Sequence, residues 1–386
     1  MAAEADDPPR TVLELRLRER SQTLAEFVVE AERFARTFGE AGTLSVRHLQ
    51  RLISGRKPNG SPVGRPRPAT ARLLERMLGL PIDDLLASPG AARGRVESDD
   101  ELRQRLSAAR RVNGDVLVLL RDQLTSMRRL DRQLGAATAH EEVVTKIRQV
   151  SGLRSHSLAP GIRNQLGALL AELGTLAGWQ KLDMGSVGES WQFYEDAKAA
   201  ARESDDVAFQ VHCSAEQAFV LIDVGETSSA VELLRAAERT AERGTGRLLR
   251  SWLAAAHGEA LAADGQRSAS LRAFDRAAAL LPAEASAVDG PYVVLDPVHL
   301  ARWRGHALAR IGESDAVEVL STALSSLDPT FTRAETALRV DLATAFLALG
   351  EREEGRVHAE RARALAAEIG SARQQRRITL LVGPAN

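Results

Sequence analysis

The chain has 386 residues, a formal net charge of −1 and only 4% aromatic residues. That length predicts two or more domains, and the near-neutral charge excludes a polycation. The single cysteine, Cys213, excludes an intrachain disulfide and fits a reducing cytoplasm. No apolar run approaches the ~18–20 residues that span a bilayer, and the acidic N-terminus lacks the apolar segment of a signal peptide. We therefore expect a cytoplasmic protein with no membrane partner.

The first 87 residues divide into a tail and a helical domain. Residues 1–10 are predicted to be a disordered tail, and residues 11–87 form the first predicted domain. Helices are predicted at about 11–20, 23–38, 45–54 and 69–79, followed by a short helix after Pro81, because apolar residues recur there at helical spacing. The segment 55–68 contains four prolines and three glycines, which predicts a basic loop.

The stretch 44–57 is predicted to contain a short helix that enters the major groove of DNA. Ser45 is a natural N-cap and Gly55 a natural stop. Apolar residues at helical spacing form one stripe: Val46, Leu49, Leu52 and Ile53. The other face carries side chains that can donate to base edges or phosphates: Arg47, His48, Gln50 and Arg51. Arginine matches the O6 and N7 of guanine, and glutamine matches adenine.

Positive charge is concentrated around this helix. The window 43–76 holds eight basic residues and one acidic residue, a net charge of +7, so the remaining residues sum to −8. A local basic patch in a near-neutral protein suits a docked polyanion, whereas the alternative interpretation is a solvated charged face. The predicted contacts to DNA phosphates in and near this region are Arg16, Arg18, Ser45, Arg65 and Arg67.

Residues 11–86 resemble a lambda-repressor-like (XRE-type) helix-turn-helix domain. Three motifs carry the resemblance: Ser-Val-Arg-His-Leu-Gln-Arg-Leu-Ile-Ser-Gly-Arg, Arg-Pro-Arg-Pro-Ala-Thr, and Leu-Gly-Leu-Pro-Ile-Asp-Asp-Leu-Leu. In that family the second helix of the motif lies in the major groove, with its N-terminal half on the bases. The resemblance implies that Arg47, His48, Gln50 and Arg51 read bases and that Arg56 and Lys57 contact phosphates. The second helix and the 55–68 loop are longer than in the family pattern.

Residues 88–97 are predicted to be a linker, and residues 98–137 to contain linking helices at about 99–110 and 112–134. The second of these carries apolar residues at alternating three- and four-residue steps, interrupted by Asp131: Leu117, Leu120, Leu124, Met127 and Leu134. Such a seam is typical of a dimer-forming helix and equally of a helix inside an intramolecular bundle. We expect a homodimer, and either these helices or the repeats that follow would form it.

The remainder of the chain is repetitive. Five glycines lie 40, 40, 47 and 38 residues apart: Gly185, Gly225, Gly265, Gly312 and Gly350. All but the first follow a helix that ends in aliphatic residues. Small residues recur four or five positions after each glycine: Ser190, Ala230, Ala269, Ala316 and Gly355. A second small residue follows further along: Ala197, Ala237, Ala277, Ala323 and Ala362. Two helices per unit with this period predict a helical solenoid.

The repeats resemble tetratricopeptide repeats with lengthened helices over about 155–370, and the predicted repeat domain covers 138–381. The predicted fold class is therefore all-α, with an N-terminal helix-turn-helix domain followed by an α-solenoid of tetratricopeptide-like helical pairs. This order of parts resembles bacterial regulators that join a helix-turn-helix to a tetratricopeptide sensor, some of which bind small peptides. The resemblance implies a sequence-specific transcriptional regulator that binds double-stranded DNA under the control of a ligand, peptide or partner. The alternative is a tetratricopeptide interaction adaptor without DNA binding.

An enzyme is not predicted, nor is a metal or cofactor. The sequence lacks a Gly-x-x-x-x-Gly-Lys-Ser/Thr loop, a His-Glu-x-x-His pair and a Gly-x-Ser-x-Gly elbow. The nearest string to a metal motif, His140-Glu141-Glu142, lacks the second histidine. Cys213 adjoins His212, and a helix would point those side chains about 100° apart. A small buried thiol is the expected role of Cys213.

A ligand groove is predicted in the repeats, because ligand sites combine aromatic walls with a few polar anchors. The candidates are Trp179, Trp191, Tyr194, Trp252, His257, His299, Arg302 and Trp303, with Phe193 and Tyr292 as further aromatic residues. His257, His299, Arg302 and Arg304 are the candidate anchors for a carboxylate or phosphate. The alternative is that these tryptophans fill the space between helices.

Overall fold

The structure is a computed structural model that describes residues 9–20, 22–55, 64–88, 99–283, 290–328 and 330–382. Every regular element in these ranges is an α-helix, which confirms the all-α class. The chain divides into two compact units, Met1–Leu102 and Arg103–Asn386, and helix α6 (Asp99–Arg110) crosses the division. Arg56 and Lys57, most of the predicted tail and most of the predicted 88–97 linker lie outside the described residues.

The described residues of the first unit form five helices before α6: α1 (Val12–Glu19), α2 (Leu24–Phe38), α3 (Val46–Ser54), α4 (Pro68–Leu78) and α5 (Ile82–Leu86). Thr23 and Glu26 form a capping box at the start of α2, satisfying backbone N–H groups that the helix leaves free. The Ser45 hydroxyl accepts a hydrogen bond from the His48 backbone N–H at 3.2 Å. Gly55 ends α3 in the left-handed conformation, with φ of 67°. The predicted start and stop of α3 are thus observed.

Helix α3 packs its apolar stripe against the core of the first unit. Leu49 and Leu52 are fully buried in a cluster that includes Phe27 of α2 and Leu74 of α4. Val46, predicted on the same stripe, is 37% exposed, because it stands at the first helical position, one turn before Leu49. The hydroxyl of Thr70 donates to the carbonyl of Thr43 at 3.1 Å, which ties α4 to the segment that precedes α3.

The second unit contains the repeats. Its helices after α6 are α7 (Gly114–Leu134), α8 (Ala136–His156), α9 (Pro160–Asp183), α10 (Val187–Glu203), α11 (Val207–Glu216), α12 (Ala218–Val224), α13 (Thr227–Ala241), α14 (Arg247–Ala263), α15 (Arg267–Leu280), α16 (Pro297–Ile311), α17 (Ala316–Ser325), α18 (Thr332–Ala348), α19 (Arg352–Glu368) and α20 (Ala372–Val382). The five repeat glycines all have positive φ, between 74° and 87°. Glycine adopts this conformation at a helix end without a steric penalty, so the repeat glycines act as the sequence predicts.

Two repeats share one packing arrangement, 80 residues apart. The hydroxyls of Ser190 and Ser270 donate to the carbonyls of Gly178 and Gly258, both at 2.7 Å. An aromatic ring four residues after each serine covers the same glycine, so that a β-carbon there would lie 2.7–3.0 Å from ring atoms of Tyr194 or Phe274. The small residue predicted at 269 is thus replaced in this role by Ser270, one position later. Close approach of the two helices of a pair requires these residue types.

Helices from the beginning and from the end of the second unit contact each other. Helix α7 packs on α18 as well as on α8 and α9, and α9 also contacts α20. The hydroxyl of Ser371 donates to Asp183 at 2.6 Å across 188 residues of sequence. The apolar seam of α7 is buried within the unit, apart from Leu134, which is 48% exposed. The intramolecular interpretation of that seam is therefore the one observed, and a homodimer stays a prediction.

Candidate ligand cavity and candidate nucleic-acid surface

A cavity of about 460 Å³ lies inside the second unit. The lining comes from α7, α9, α11, α12, α14, α16, α18 and α20, which include the first helix of each repeat pair, and from Phe331 and the segment 292–294 between helices. Helix α16 contributes one face, with His299, Trp303, His306 and Arg310 at steps of three or four residues. The helical period thus turns a row of polar and aromatic side chains into one wall of the cavity.

Four aromatic residues from four helices form a continuous surface, here called the aromatic wall: Trp179, Phe219, Trp252 and Trp303. The ring centroids of Phe219 lie 6.2 Å from Trp252 and 6.0 Å from Trp303, and the two tryptophans are 5.9 Å apart. The ring of Trp179 meets that of Phe219 edge-on at 6.2 Å. Tilted and edge-to-face packing is favourable for aromatic rings, so the wall is preassembled from the chain's own side chains.

Most of the charged groups around the cavity are paired. Asp131 of α7 lies 2.7 Å from Arg333 of α18 and accepts a hydrogen bond from Gln180 at 3.0 Å. Asp223 receives a two-pronged contact from Arg373 at 2.6–3.0 Å. Such pairs remove the cost of burying single charges, and they link helices distant in sequence.

Asp341 is held between a histidine and an arginine. Its carboxylate lies 2.7 Å from the His306 ring and 2.6 Å from the Arg377 guanidinium. Burial alone would raise the pKa of Asp341, but the charges and hydrogen bonds of these two partners lower it well below its usual range. The carboxylate is therefore ionised throughout the physiological pH range.

Arg302 has a different environment from these pairs. Burial lowers the pKa of its guanidinium, against the opposing influence of Asp341, Glu259 and Asp296, but an arginine stays protonated in proteins. Its Nε is buried without a hydrogen-bond partner. Among the described residues, no carboxylate oxygen lies within 4.0 Å of a guanidinium nitrogen of Arg302, so none forms an ion pair with it. Arg302 is therefore one of the arginines at this cavity, with Arg132 and Arg310, that have no ion-pair partner among the described residues.

Two neighbouring groups at the cavity are neutral at neutral pH. Burial raises the pKa of Glu216 to about 8, Tyr194 lowers it, and Glu259 raises it further. Burial lowers the pKa of His212 to about 3, and the charge of Arg128 acts in the same direction. The His212 ring lies 5.0 Å from that of Trp252. This side of the cavity thus offers a protonated carboxyl and a neutral imidazole beside the aromatic wall.

Replacing Glu216 by glutamine is expected to flatten the pH dependence of stability. Between its unfolded pKa of 4.5 and its folded pKa of about 8, Glu216 binds its proton only in the folded state, so stability falls as pH rises through this window. His212 has the opposite effect, so that stability rises with pH between its folded pKa of about 3 and its unfolded pKa of 6.5. Between pH 6.5 and pH 8 the effect of Glu216 is therefore the one that would be observed. The slope of the unfolding free energy there is expected to approach −1.4 kcal/mol per pH unit and to vanish in Glu216→Gln.

Urea unfolding at several values between pH 6.5 and pH 8 measures this slope. Glu232→Gln on the exposed side of α13 is the matched control and should keep the wild-type slope. An unchanged slope in Glu216→Gln would show that this carboxyl ionises normally in the folded chain.

Five of the eight predicted groove residues line the cavity: Trp179, Trp252, His299, Arg302 and Trp303. Trp191 is instead 38% exposed on α10, outside the cavity, because α10 is the second helix of its pair. Tyr194 is fully buried against Gly178, between the helices of that pair. His257 faces α13, where its ring lies 2.6 Å from Glu238.

Sequence reasoning missed several lining residues, including Phe219, Arg132, Glu216 and Arg333. The signal that would have found some of them is the helical period along each first helix, as in His212 and Glu216 on α11. Arg132 and Arg333 come together only because α7 and α18 pack side by side. Their pairing has no local signature.

The first unit presents a cationic surface on α3. Arg47, Gln50 and Arg51 are exposed, and His48 is half-buried. Burial lowers the pKa of His48, and the nearby charges of Arg51 and Arg67 lower it further, so both arginines lie close to this ring. In the part of the chain that the structure describes, neither Arg47 nor Arg51 has an ion-pair partner. We call this surface the α3 face: Arg47, His48, Gln50, Arg51 and Arg67.

The other predicted phosphate contacts have partners of their own. Arg16 lies 2.8 Å from Glu19 and Arg18 lies 2.6 Å from Glu14, both on α1. Arg65 lies 3.0 Å from Asp83, and the hydroxyl of Ser45 caps α3. Exposed ion pairs are weak, so these arginines would exchange their partner for a phosphate at little cost.

Cys213 is buried, and burial raises the pKa of its thiol to about 12. A thiol that stays protonated is a poor nucleophile. Within the described ranges, no cluster of three or more His, Cys, Asp or Glu side chains is arranged to hold a metal ion. The same ranges contain no helix with the length and apolar composition that crossing a membrane demands.

Comparison with known proteins gives structural neighbours only. No protein family profile matches the chain, and no curated protein matches it. A crystal structure of a Rap protein complexed with competence and sporulation factor aligns with 13% identity over 91% of this chain and 99% of its own, with a TM-score of 0.45. Two crystal structures from Podosopora anserina, named for a kinesin light chain with nearly identical TPR-like repeats, align with 19% identity.

The Podosopora anserina alignments cover 54% and 52% of this chain and 98% and 97% of theirs, with TM-scores of 0.34 and 0.33. At these values the similarity is confined to a general arrangement of TPR-like helical repeats. The helix pairs of the second unit show that arrangement by themselves, so the chain contains an α-solenoid of TPR-like pairs.

Proposed function

We propose that the second unit is a binding module that holds a small ligand or a short peptide segment in its cavity, and that the chain is an interaction protein and not an enzyme. The observation that carries this proposal is the cavity itself. Its volume of about 460 Å³ falls in the range of ligand pockets, roughly 300–1,000 Å³. An aromatic wall, a few guanidinium groups without an ion-pair partner among the described residues, and neutral hydrogen-bonding groups are the combination found in such pockets.

Filling the cavity is expected to abolish ligand capture. Ala337 lies on the cavity face of α18, and Ala337→Trp would occupy the space next to it. Wild-type protein dialysed against the low-molecular-weight extract of its own cells should enrich one compound or peptide, measured by mass spectrometry. Ala337→Trp should reduce that enrichment at least tenfold.

Ala348→Trp is the matched control, because Ala348 is exposed at the end of the same helix. Ala334→Trp, at a second lining position, separates a blocked cavity from a misfolded helix, provided that circular dichroism matches the wild type. Equal enrichment by the wild type and both cavity variants would rule out the cavity as the binding site.

A second candidate function concerns the first unit, which we propose binds double-stranded DNA. The observation that favours it is the α3 face, where exposed arginines without carboxylate partners stand beside Gln50. Together with the XRE-type resemblance of residues 11–86, this surface supports our proposal that the whole chain is a cytoplasmic, sequence-specific regulator, dimeric on paired half-sites, whose DNA affinity the cavity ligand controls. The alternative is an adaptor whose α3 face contacts a protein.

Arg47→Ala and Arg51→Ala are each expected to weaken binding to a selected DNA site by about 1–3 kcal/mol, if each guanidinium contacts a base edge in two places. Arg67→Ala should weaken binding to all sequences alike and reduce the salt dependence by about one unit of slope. Fluorescence anisotropy with DNA selected from a random pool, at several salt concentrations, measures both effects.

Arg33→Ala, an exposed arginine on α2, is the control for a loss of positive charge alone. Unchanged affinity in the Arg47/Arg51 double variant would remove the regulator from consideration. The adaptor would then be the better description of the first unit.

A further inference from the structure

The four anchors predicted for a carboxylate or phosphate differ in their partners. The ring of His257 lies 2.6 Å from Glu238, and that of His299 lies 2.8 Å from Asp296. Arg304, on the outer side of α16, lies 2.8 Å from Asp275. Arg302 is the member of this set without a carboxylate partner among the described residues. The structure therefore singles out one of four candidates that the sequence treats alike.

The unpaired state of Arg302 is costly for the free protein. A buried charge without a counter-ion loses its hydration and gains no compensating attraction. The neighbouring acids are already engaged, since Asp341 contacts His306 and Arg377, and Glu259 lies 3.5 Å from His306. Arg302 thus faces the cavity with a buried Nε and no anionic partner among the described residues, which leaves a place for the anion of a ligand.

A second guanidinium stands near the same place. Arg132 of α7 lies over the ring of Phe331, with its central carbon 5.1 Å from the ring centroid, and its Nε donates to the backbone carbonyl of Arg128 at 3.2 Å. The ring of His299 lies 6.3 Å from Phe331. Beyond the effect of burial, both Arg302 and Arg132 lower the pKa of His299, so two cations from different helices flank this ring.

We propose that the ligand of this cavity carries an oxyanion, a carboxylate or a phosphate, bound by Arg302 with help from Arg132, and a planar apolar body that lies on the aromatic wall. This inference rests on the proposed ligand-binding function of the second unit. The guanidinium fork matches the two oxygens of a carboxylate or phosphate. Arg302 and Trp303 of α16 both line the same cavity, so one ligand of ordinary size reaches the anchor and the wall.

The test uses four probes that share one ring system: naphthoate, naphthyl phosphate, naphthamide and naphthylmethylammonium. Calorimetric titration of the full chain should show at least tenfold tighter binding of an oxyanion than of the neutral amide or the cation. Whichever of naphthoate and naphthyl phosphate binds more tightly identifies the carboxylate or the phosphate as the anionic group of the natural ligand. Arg302→Met should weaken oxyanion binding about 10- to 100-fold, the usual worth of a charge-assisted contact.

Arg304→Met is the matched control on the same helix and should leave every affinity unchanged. Arg302→Met should also raise the midpoint of thermal unfolding of the ligand-free chain, because it removes an unpaired buried charge. Arg302→Lys retains the charge without the guanidinium fork, so its affinity for the oxyanion probes should lie between those of the wild type and Arg302→Met. This variant keeps the test decisive if Arg302→Met fails to fold.

Equal binding of naphthamide and naphthoate would overturn the inference, as would unchanged oxyanion affinity in Arg302→Met. Failure of all four probes to bind would also overturn this ligand class. The proposed function would survive that result if the extract dialysis with Ala337→Trp showed cavity-dependent capture, so the two failures are distinguishable.

Discussion

Arg333→Met is expected to destabilise the second unit by about 3–5 kcal/mol, the usual cost of removing one partner from a buried ion pair. Its partner, Asp131, is 3% exposed and keeps only the hydrogen bond from Gln180 once the guanidinium is gone. The pair joins α7 to α18, 202 residues apart in sequence, and so links an early helix of the unit to a late one. Guanidinium chloride unfolding followed by circular dichroism measures the loss.

The double variant Asp131→Leu with Arg333→Met should recover most of the lost stability, because no unpaired charge remains. Arg356→Met, which removes an arginine from an exposed ion pair on α19, is the control and should leave the unfolding midpoint unchanged. If Arg333→Met behaved like Arg356→Met, the ends of the repeat unit would not be joined through this pair.

The second large effect is expected at Gly135, between α7 and α8. Its φ of 84° and ψ of 169° belong to a region that only glycine adopts readily. A β-carbon there would lie 2.7 Å from the β-carbon of Ile369 and would overlap the carbonyl of that residue. Backbone strain and overpacking together predict a loss of about 2–5 kcal/mol for Gly135→Ala.

Gly152→Ala provides a control of opposite sign. Gly152 lies inside α8, and an added β-carbon meets open space. Alanine there should stabilise the chain by about 0.5–1 kcal/mol, because it favours the helix and restricts the unfolded state. Equal unfolding midpoints for the two variants would show that Gly135 does not make the close approach to Ile369.

The helices and their boundaries were accessible from sequence, because the signals are local. Ser45 and Gly55 delimit α3 through a cap and a left-handed stop, and the repeat glycines end helices for the same steric reason. The pattern of small residues predicts the close helix contact at Ala269, whereas the structure has it at Ser270, one residue later. The reason is that the Ser270 hydroxyl donates to the Gly258 carbonyl, a contact that alanine cannot make.

The cavity was accessible only in part. Trp179, Trp252 and Trp303 were predicted from residue type, whereas Trp191, of the same type, lies outside it, because residue type does not reveal which helix of a pair faces inward. Asp131 looked like an interruption of an apolar seam, although it is one half of a buried ion pair. Its partner, Arg333, is remote in sequence, and no local sequence pattern predicts such a contact.

Fluorine NMR of the chain labelled with fluorotryptophan tests the central claim most directly, since the four tryptophans give one resonance each. The compound captured in the dialysis experiment should shift the resonances of Trp179, Trp252 and Trp303, which line the cavity. Trp191 on the exposed side of α10 should not move. Binding that leaves the three cavity resonances in place, or that moves Trp191 alone, would contradict a ligand site inside the repeats.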